Sequence, residues 1–284
     1  MLEGQSIESI SSKIKSHELK SEDVVKFFLD KIKQYNKDLN AIVSLRDETE
    51  IISEAKEKDR SIDNGNEIGL LHGMPLAIKD ITDVKELPTS FGCKEYKNNF
   101  PDEDSIISER LKKEGAIIIG KTNTAELAYG SQTSNRLFGS THNPYDITKT
   151  AGGSSGGAAA AVSSGMLPLA DGTDMMGSVR NPAAYCNLYG FRPTPGLIPE
   201  KRTEVSNIKY PLVSTLGGIA RTPDELSIFL DAVSGRDERD PFSFDLRNTF
   251  VNASMSEKDF NEIKIGWLSN LNGDYKFENG ILEM

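Results

Sequence analysis

The chain of 284 residues has only two cysteines, Cys93 and Cys186, and three histidines, His17, His72 and His142. Two thiols can close at most one bridge, and without a secretory signal both are expected to be free. The histidines are scattered and no Cys/His group shows metal-ligand spacing, so neither a metal site nor a disulfide framework is expected. A basic surplus is also missing. With 33 Lys and Arg against 43 Asp and Glu the net charge is −10, which argues against direct nucleic-acid binding. No run approaches the roughly 18 apolar residues of a membrane span, and Met1 to Lys20 is polar, with no apolar signal core. The expected location is the cytoplasm, away from membranes.

What is present suits a globular protein. The hydrophobic fraction is 37% and the charged fraction 27%, which excludes disorder over most of the chain. A chain this long can bury roughly three-quarters of its unfolded surface, in one large domain or two small ones. Ile7, Ile10 and Ile14 recur at helical spacing; after an expected N-cap at Ser21, so do Val25, Phe28, Leu29 and Ile32. An extended run over Ala41–Leu45 and a charged helix from about Asp47 to Arg60 complete a helical N-terminal region, residues 1–60. Pro75–Ile81 reads as a buried strand interrupted by Lys79. A helix from Asp104 through Ile107 and Leu111 can end at Gly115.

Ala116–Ile119 is then a strand without polar residues, closed by a turn at Gly120. Ala158–Ser164 reads as a tightly packed alanine-rich helix and Met166–Ala170 as a strand. Thr222, Pro223 and Asp224 start a helix reaching Ser234, and Ile263–Leu268 is a last strand. Helices alternating with apolar strands predict an α/β fold, a sheet sandwiched between helices. Gly280–Met284 reads as a helix that has only begun, so the chain is expected to be a fragment of something longer.

Glycine is concentrated: 13 of the 24 lie between Gly115 and Gly196, which places the functional site there, because glycine serves unusual dihedrals and close backbone approach. Gly115–Thr122 matches the phosphate-loop pattern GxxxxGKT letter for letter. That loop needs its four middle residues as open backbone after a strand, whereas here they are the strand, so an NTPase is set aside. Ala151–Gly157 reads AGGSSGG before the alanine-rich helix; alone it is a flexible loop or an anion-binding helix start. Gly172–Ala183 reads GTDMMGSVRNPA, alone an acidic turn leading into a helix.

Lys79, the GGSSGG loop and the GTDxxGSxRxPA segment together resemble the amidase signature family of serine amide hydrolases. The resemblance extends over Gly120–Asn123, Phe138–Gly139, Asn143–Asp146 and Gly190–Thr194, nearly the whole chain. It implies a mixed β-sheet covered on both faces by helices, one domain over 1–284 with its catalytic core at 70–200, and a C-terminal part that is missing. It implies Ser178 as nucleophile, Lys79 as base and Ser154 as the relay between them, with a cis bond from Gly153 to Ser154. The backbone amides of Met175, Met176, Gly177 and Ser178 would form the oxyanion hole. Asp174, Arg180, Gly153 and Ser155 would support the site. No cofactor or metal is implied.

Elementary chemistry agrees with this assignment. A serine needs a base, and no histidine lies in the glycine-rich loops; His142, the nearest in sequence, reads as structural. A Ser-Lys arrangement is a recognised substitute, and burial in the run Pro75–Ile78 would keep the Lys79 amine neutral. Taken alone, Lys79 would be a strand-end lysine paired with Asp80 or Asp83. One departure stands out: the family usually has glycine where this chain has Met176, and a positive φ there would strain it.

The expected activity is hydrolysis of a small-molecule amide through an acyl-enzyme. The glutaminase component of glutamyl-tRNA(Gln) amidotransferase, its A-type chain, belongs to the same family, but Gly196–Arg202 and Tyr210–Gly218 depart from its usual wording, and Leu167–Gly172 reads closer to stand-alone amidases. A third reading is a catalytically dead fragment acting as a binding or decoy module. A homodimer stays open.

Overall fold

The computed structural model describes residues 2–201, 213–245, 249–251, 261–264 and 266. Two compact units divide the chain, Met1–Val251 and Asn252–Met284, and the second is described only at 261–264 and 266.

Three helices open the first unit: α1 (Ile7–Lys15), α2 (Ser21–Leu39) and α3 (Glu48–Asp63). Ser6 caps α1 by accepting the Ser9 amide, and Asp47 caps α3 through the Thr49 and Glu50 amides. The cap expected at Ser21 is not formed. Ser21 is the first helical residue, and its amide donates to Asp59 Oδ1 (2.6 Å) while that of Glu22 donates to Oδ2 (3.2 Å). The cap of α2 therefore comes from α3, 38 residues away.

Strands β1 (Pro75–Lys79) and β2 (Ile117–Thr122) pair in parallel, joined by helix α4 (Ile106–Lys113), which Ser105 caps. Two short antiparallel pairs follow: β3 (Ser134–Asn135) with β4 (Gly139–Ser140), and β5 (His142–Asn143) with β6 (Asp146–Thr150). Helix α5 (Gly156–Ser163) then leads to β7 (Leu169–Asp174), α6 (Arg180–Tyr185), β8 (Tyr189–Phe191), β9 (Thr215–Ala220) and α7 (Pro223–Val233). The last three strands form an antiparallel sheet in the order β7-β9-β8. β7 lies beside β1, whose Lys79 amide donates to the Asp171 carboxylate at 2.9 Å.

Strand alternation sends successive side chains to opposite faces, and each face has its own core. Leu76, Ile78, Ile118, Leu169, Leu216 and Ala220 pack with α1, α4 and α7. Ala77, Ile117, Ile119, Ala170 and Ile219 pack with α3, α5 and α6. α2 serves both, with Val24 and Phe28 in the first core and Val25, Leu29 and Ile32 in the second. Mixed strands are thus covered on both faces by helices, the fold class the resemblance implies.

Several strand limits differ from expectation. The strand expected at Met166–Ala170 begins at Leu169 and runs to Asp174, because Gly172, Thr173 and Asp174 find register partners in Gly217, Leu216 and Thr215. Gly120 is not a turn. β2 continues through Lys121 and Thr122 because the extended run at 41–45 lies along it, Val43 donating to the Lys121 carbonyl and Lys121 to that of Ser44. A Cβ at Gly120 would stand 2.5 Å from the Ser44 carbonyl oxygen, so this approach requires glycine. β1 stops at Lys79, two residues short of Ile81. Of the strand expected at Ile263–Leu268, Ile263 and Lys264 are not extended-paired, Gly266 is irregular, and the remainder lies outside the described residues, as does Gly280–Met284. Cys93 and Cys186 are free and buried, and no helix among the described residues is long and apolar enough to cross a membrane.

Candidate active site

β1 carries Lys79 to a fully buried position at its C-terminal end. The Nζ donates to Ser154 Oγ and to Thr173 Oγ1, both at 2.8 Å. Neither Asp80 nor Asp83 receives it. The Asp80 carboxylate accepts instead from the Ser90 amide (3.0 Å), the Ser90 hydroxyl and the Gly92 amide (3.2 Å). Burial pushes Lys79 down to about 7, against the opposing pull of the Asp171 and Asp174 carboxylates.

Ser154 sits in the glycine-rich loop before α5, and the Gly153–Ser154 peptide is cis. Thr133 pins this loop: its hydroxyl donates to the Ser154 carbonyl (3.2 Å) and accepts from the Gly156 amide (2.8 Å). The neighbouring Ser155 amide donates to the Ser178 carbonyl at 3.1 Å, tying the two serine-bearing loops together. The Ser155 hydroxyl is buried and finds no partner among the described residues.

Ser178 lies in the turn from β7 to α6, and Asp174 shapes that turn from inside. Its Oδ1 accepts the Gly177 amide (2.8 Å), and its Oδ2 accepts the Val179 (3.2 Å) and Arg180 (3.3 Å) amides. Arg180 adds a two-pronged contact, Nε at 3.0 Å and Nη2 at 2.9 Å, and Arg192 Nε reaches the Asp174 carbonyl at 3.2 Å. Burial alone would raise the Asp174 carboxyl, but Arg180 and the three amides outweigh it and hold the group at about 2.

The positive φ of the turn falls on Gly177, at +108°, and Met176 is not among the positive-φ residues, so methionine is accommodated without backbone strain. Met176 is 83% exposed. Among the described residues the amides of Met175, Met176 and Ser178 have no acceptor, whereas that of Gly177 is engaged by Asp174.

Ser154, Thr173, Met175 and Ser178 all line one cavity of about 530 Å³, together with Leu127 and Tyr129. No histidine lines it, and His72 Nε2 is engaged with the Lys58 carbonyl (3.0 Å). Sequence reasoning passed over Thr173 and Asp171. The two are two residues apart, so strand alternation could have grouped them on one side of β7, the side that meets Lys79.

The family model for Amidase matches residues 23–281. An acylamidase of Rhodococcus erythropolis is 37% identical over 263 residues, 92% of this chain and 54% of that protein. The A-type chain of the glutamyl-tRNA(Gln) amidotransferase of Saccharolobus solfataricus is 36% identical over 259 residues, 91% of this chain and 52% of that one. Among solved structures, a bacterial aryl acylamidase of the amidase signature enzymes superposes with a TM-score of 0.83 at 32% identity, covering 88% of this chain and 51% of its own. The chain thus spans about half the length of the relatives it matches.

Proposed function

Because the chain belongs to the amidase family, we propose that it carries the catalytic apparatus of an amide hydrolase working through an acyl-serine. The observation that carries this is the Lys79 amine, buried, held near neutrality and 2.8 Å from the Ser154 hydroxyl. Neutral Lys79 takes the Ser154 proton as Ser154 takes that of Ser178. The Ser178 oxygen then bonds to the amide carbon and the carbonyl π electrons move to oxygen. The amides of Met175, Met176 and Ser178 stabilise that oxyanion, each such donor being worth roughly 2.7–4 kcal/mol in comparable sites. Gly177 is committed to Asp174 and serves by shaping the turn. When the carbon–nitrogen bond breaks, the relay returns the proton to the leaving nitrogen. Water, deprotonated by the same route, attacks the acyl carbon; the bond from that carbon to the Ser178 oxygen then breaks, and the relay returns the proton to Ser178 as the acid leaves. Thr173 orients the Lys79 amine, Asp174 and Arg180 hold the turn, and Gly153 and Ser155 hold the relay loop.

The likeness to acylamidases favours a carboxylic acyl amide as substrate. The comparable identity to the A-type chain of an amidotransferase supports a second reading, glutamine as amide donor for a partner. Fluorophosphonate labelling tests the first assignment: the chain should be labelled at Ser178, and Ser178→Ala should lose both label and turnover. A label retained in that variant removes Ser178 as nucleophile. Release of ammonia from glutamine in preference to acyl anilides would select the second reading.

A further inference from the structure

One buried charge takes no part in these steps. Lys121, on β2, is fully buried, and its Nζ donates to the Thr82 carbonyl and to Thr89 Oγ1 (3.3 Å). Asp171, on β7 and also buried, is hydrogen-bonded to Lys79 and shares Thr82 with Lys121. Asp171 Oδ1 accepts the Lys79 amide (2.9 Å), and Oδ2 accepts the hydroxyl of the same Thr82 (3.5 Å) that holds Lys121. A buried carboxylate left without a cation is strongly destabilised. When Lys79 is neutral, Asp171 can stay ionised only if another positive charge answers it; otherwise it takes up a proton.

Lys121 is the cation placed to do so. Burial prevails and leaves the Asp171 carboxyl above its ordinary value, although the Lys79 amide and then the Lys121 and Lys79 ammonium groups oppose it. Burial also lowers Lys121, but only to about 8, with Asp80, Asp171 and Asp83 facing it; Lys79, faced by Asp171 and Asp174, falls to about 7. Lys121 donates to a carbonyl and a threonine hydroxyl away from the serines, whereas Lys79 meets the Ser154 hydroxyl.

We propose that Asp171 is a positioning residue shared by the two buried lysines, and that Lys121 neutralises it so that Lys79 can serve as proton acceptor. This rests on Lys79 as the base of the proposed hydrolysis, but its test does not need turnover. The intact chain is labelled with ¹³C at lysine Cε and titrated by NMR, the Lys79 resonance being assigned by its loss in Lys79→Met. Asp171→Asn should lower the Lys79 midpoint by about one pH unit or more, the size expected for removing a close opposite charge. Lys121→Met should raise it by a similar amount, because Asp171 then bears on Lys79 alone. In the double variant that rise should vanish, since its cause is gone.

An unmoved Lys79 midpoint in Asp171→Asn overturns the proposal, as does an equal rise from Lys121→Met with and without Asp171. Should Lys121→Met not fold, Lys121→Arg takes its place. It must leave the Lys79 midpoint where it was, and a displaced midpoint refutes the coupling. Fluorophosphonate labelling run in parallel keeps the two questions apart. Coupled midpoints with no label at Ser178 uphold the coupling and remove the hydrolase reading, whereas label without coupled midpoints removes this proposal alone.

Discussion

At position 79 the fold holds an amine whose ordinary value of 10.5 falls to about 7, and that costs stability in a defined pH window. As pH falls from 10.5, the unfolded chain takes up a proton that the folded chain refuses until about 7, so stability drops through that interval. Lys79→Met removes the penalty. Its stability relative to wild type should be most favourable below about pH 7 and should shrink as pH rises towards 10.5, by several kcal/mol at roughly 1.4 kcal/mol per pH unit. Urea unfolding of both proteins at several pH values checks this, and a difference that stays level with pH would mean a solvated amine. The same variant should lose turnover at every pH. Two positions along the turn that bears Ser178 give a second contrast. Met176 is exposed and free of positive φ, so Met176→Gly should change stability by no more than about 1 kcal/mol. Gly177→Ala should cost about 1–3 kcal/mol and with it the labelling of Ser178, because φ is +108° and the added carbon would stand 2.6 Å from the Asn181 side chain. The opposite order of losses would place the strained position wrongly.

Among the elements, those whose cause is local were legible beforehand. The helix at 7–15 announces itself through apolar spacing, and that at 223–233 through the side-chain cap next to it in sequence. Thr222→Ala, which removes the α7 cap to the Glu225 amide, should cost about 1 kcal/mol in unfolding midpoint and leave Ser178 labelling intact. Elements whose cause is a distant partner were not legible. The α2 cap comes from Asp59, and β7 extends to Asp174 only because β9 is there to pair with it. Lys79, Ser154, Ser178, Asp174 and Arg180 could be picked out because each sits in a distinctive segment. Thr173 and Asp171 gain their importance from standing opposite Lys79, which only the folded sheet arranges. Gly120 joins both lessons. In the phosphate-loop pattern its alanine variant would weaken nucleotide binding; in this fold Gly120→Ala should destabilise by about 1–3 kcal/mol by driving the 41–45 segment off β2. Loss of amide protection at Val43 and Lys121 in hydrogen exchange would locate the damage.

On the scale of the whole molecule, a shared set of strands between two cores governs how the first unit comes apart. Ile118 and Ile119 are neighbours on β2, both almost fully buried, yet Ile118 belongs to the core with α1, α4 and α7 and Ile119 to the one with α3, α5 and α6. Neither core can lose its packing without exposing strands that form a wall of the other, so the two should melt together. Ile118→Ala and Ile119→Ala should each lower stability by about 2–5 kcal/mol, the range for truncating a buried isoleucine. Each should do so by shifting a single transition seen identically by far-UV and near-UV circular dichroism. Two cores that merely touched would behave differently: each variant would split the transition and leave half of the signal at its original midpoint. The site depends on the same coupling, since Lys79 arrives on β1, whose side chains divide between the cores, and Ser178 on the turn that leaves β7. Either truncation should therefore also quicken hydrogen exchange at the Lys79 amide and at the Gly177 amide beside Ser178, and a variant that loosened one of these positions without the other would show that the two halves of the site are supported independently.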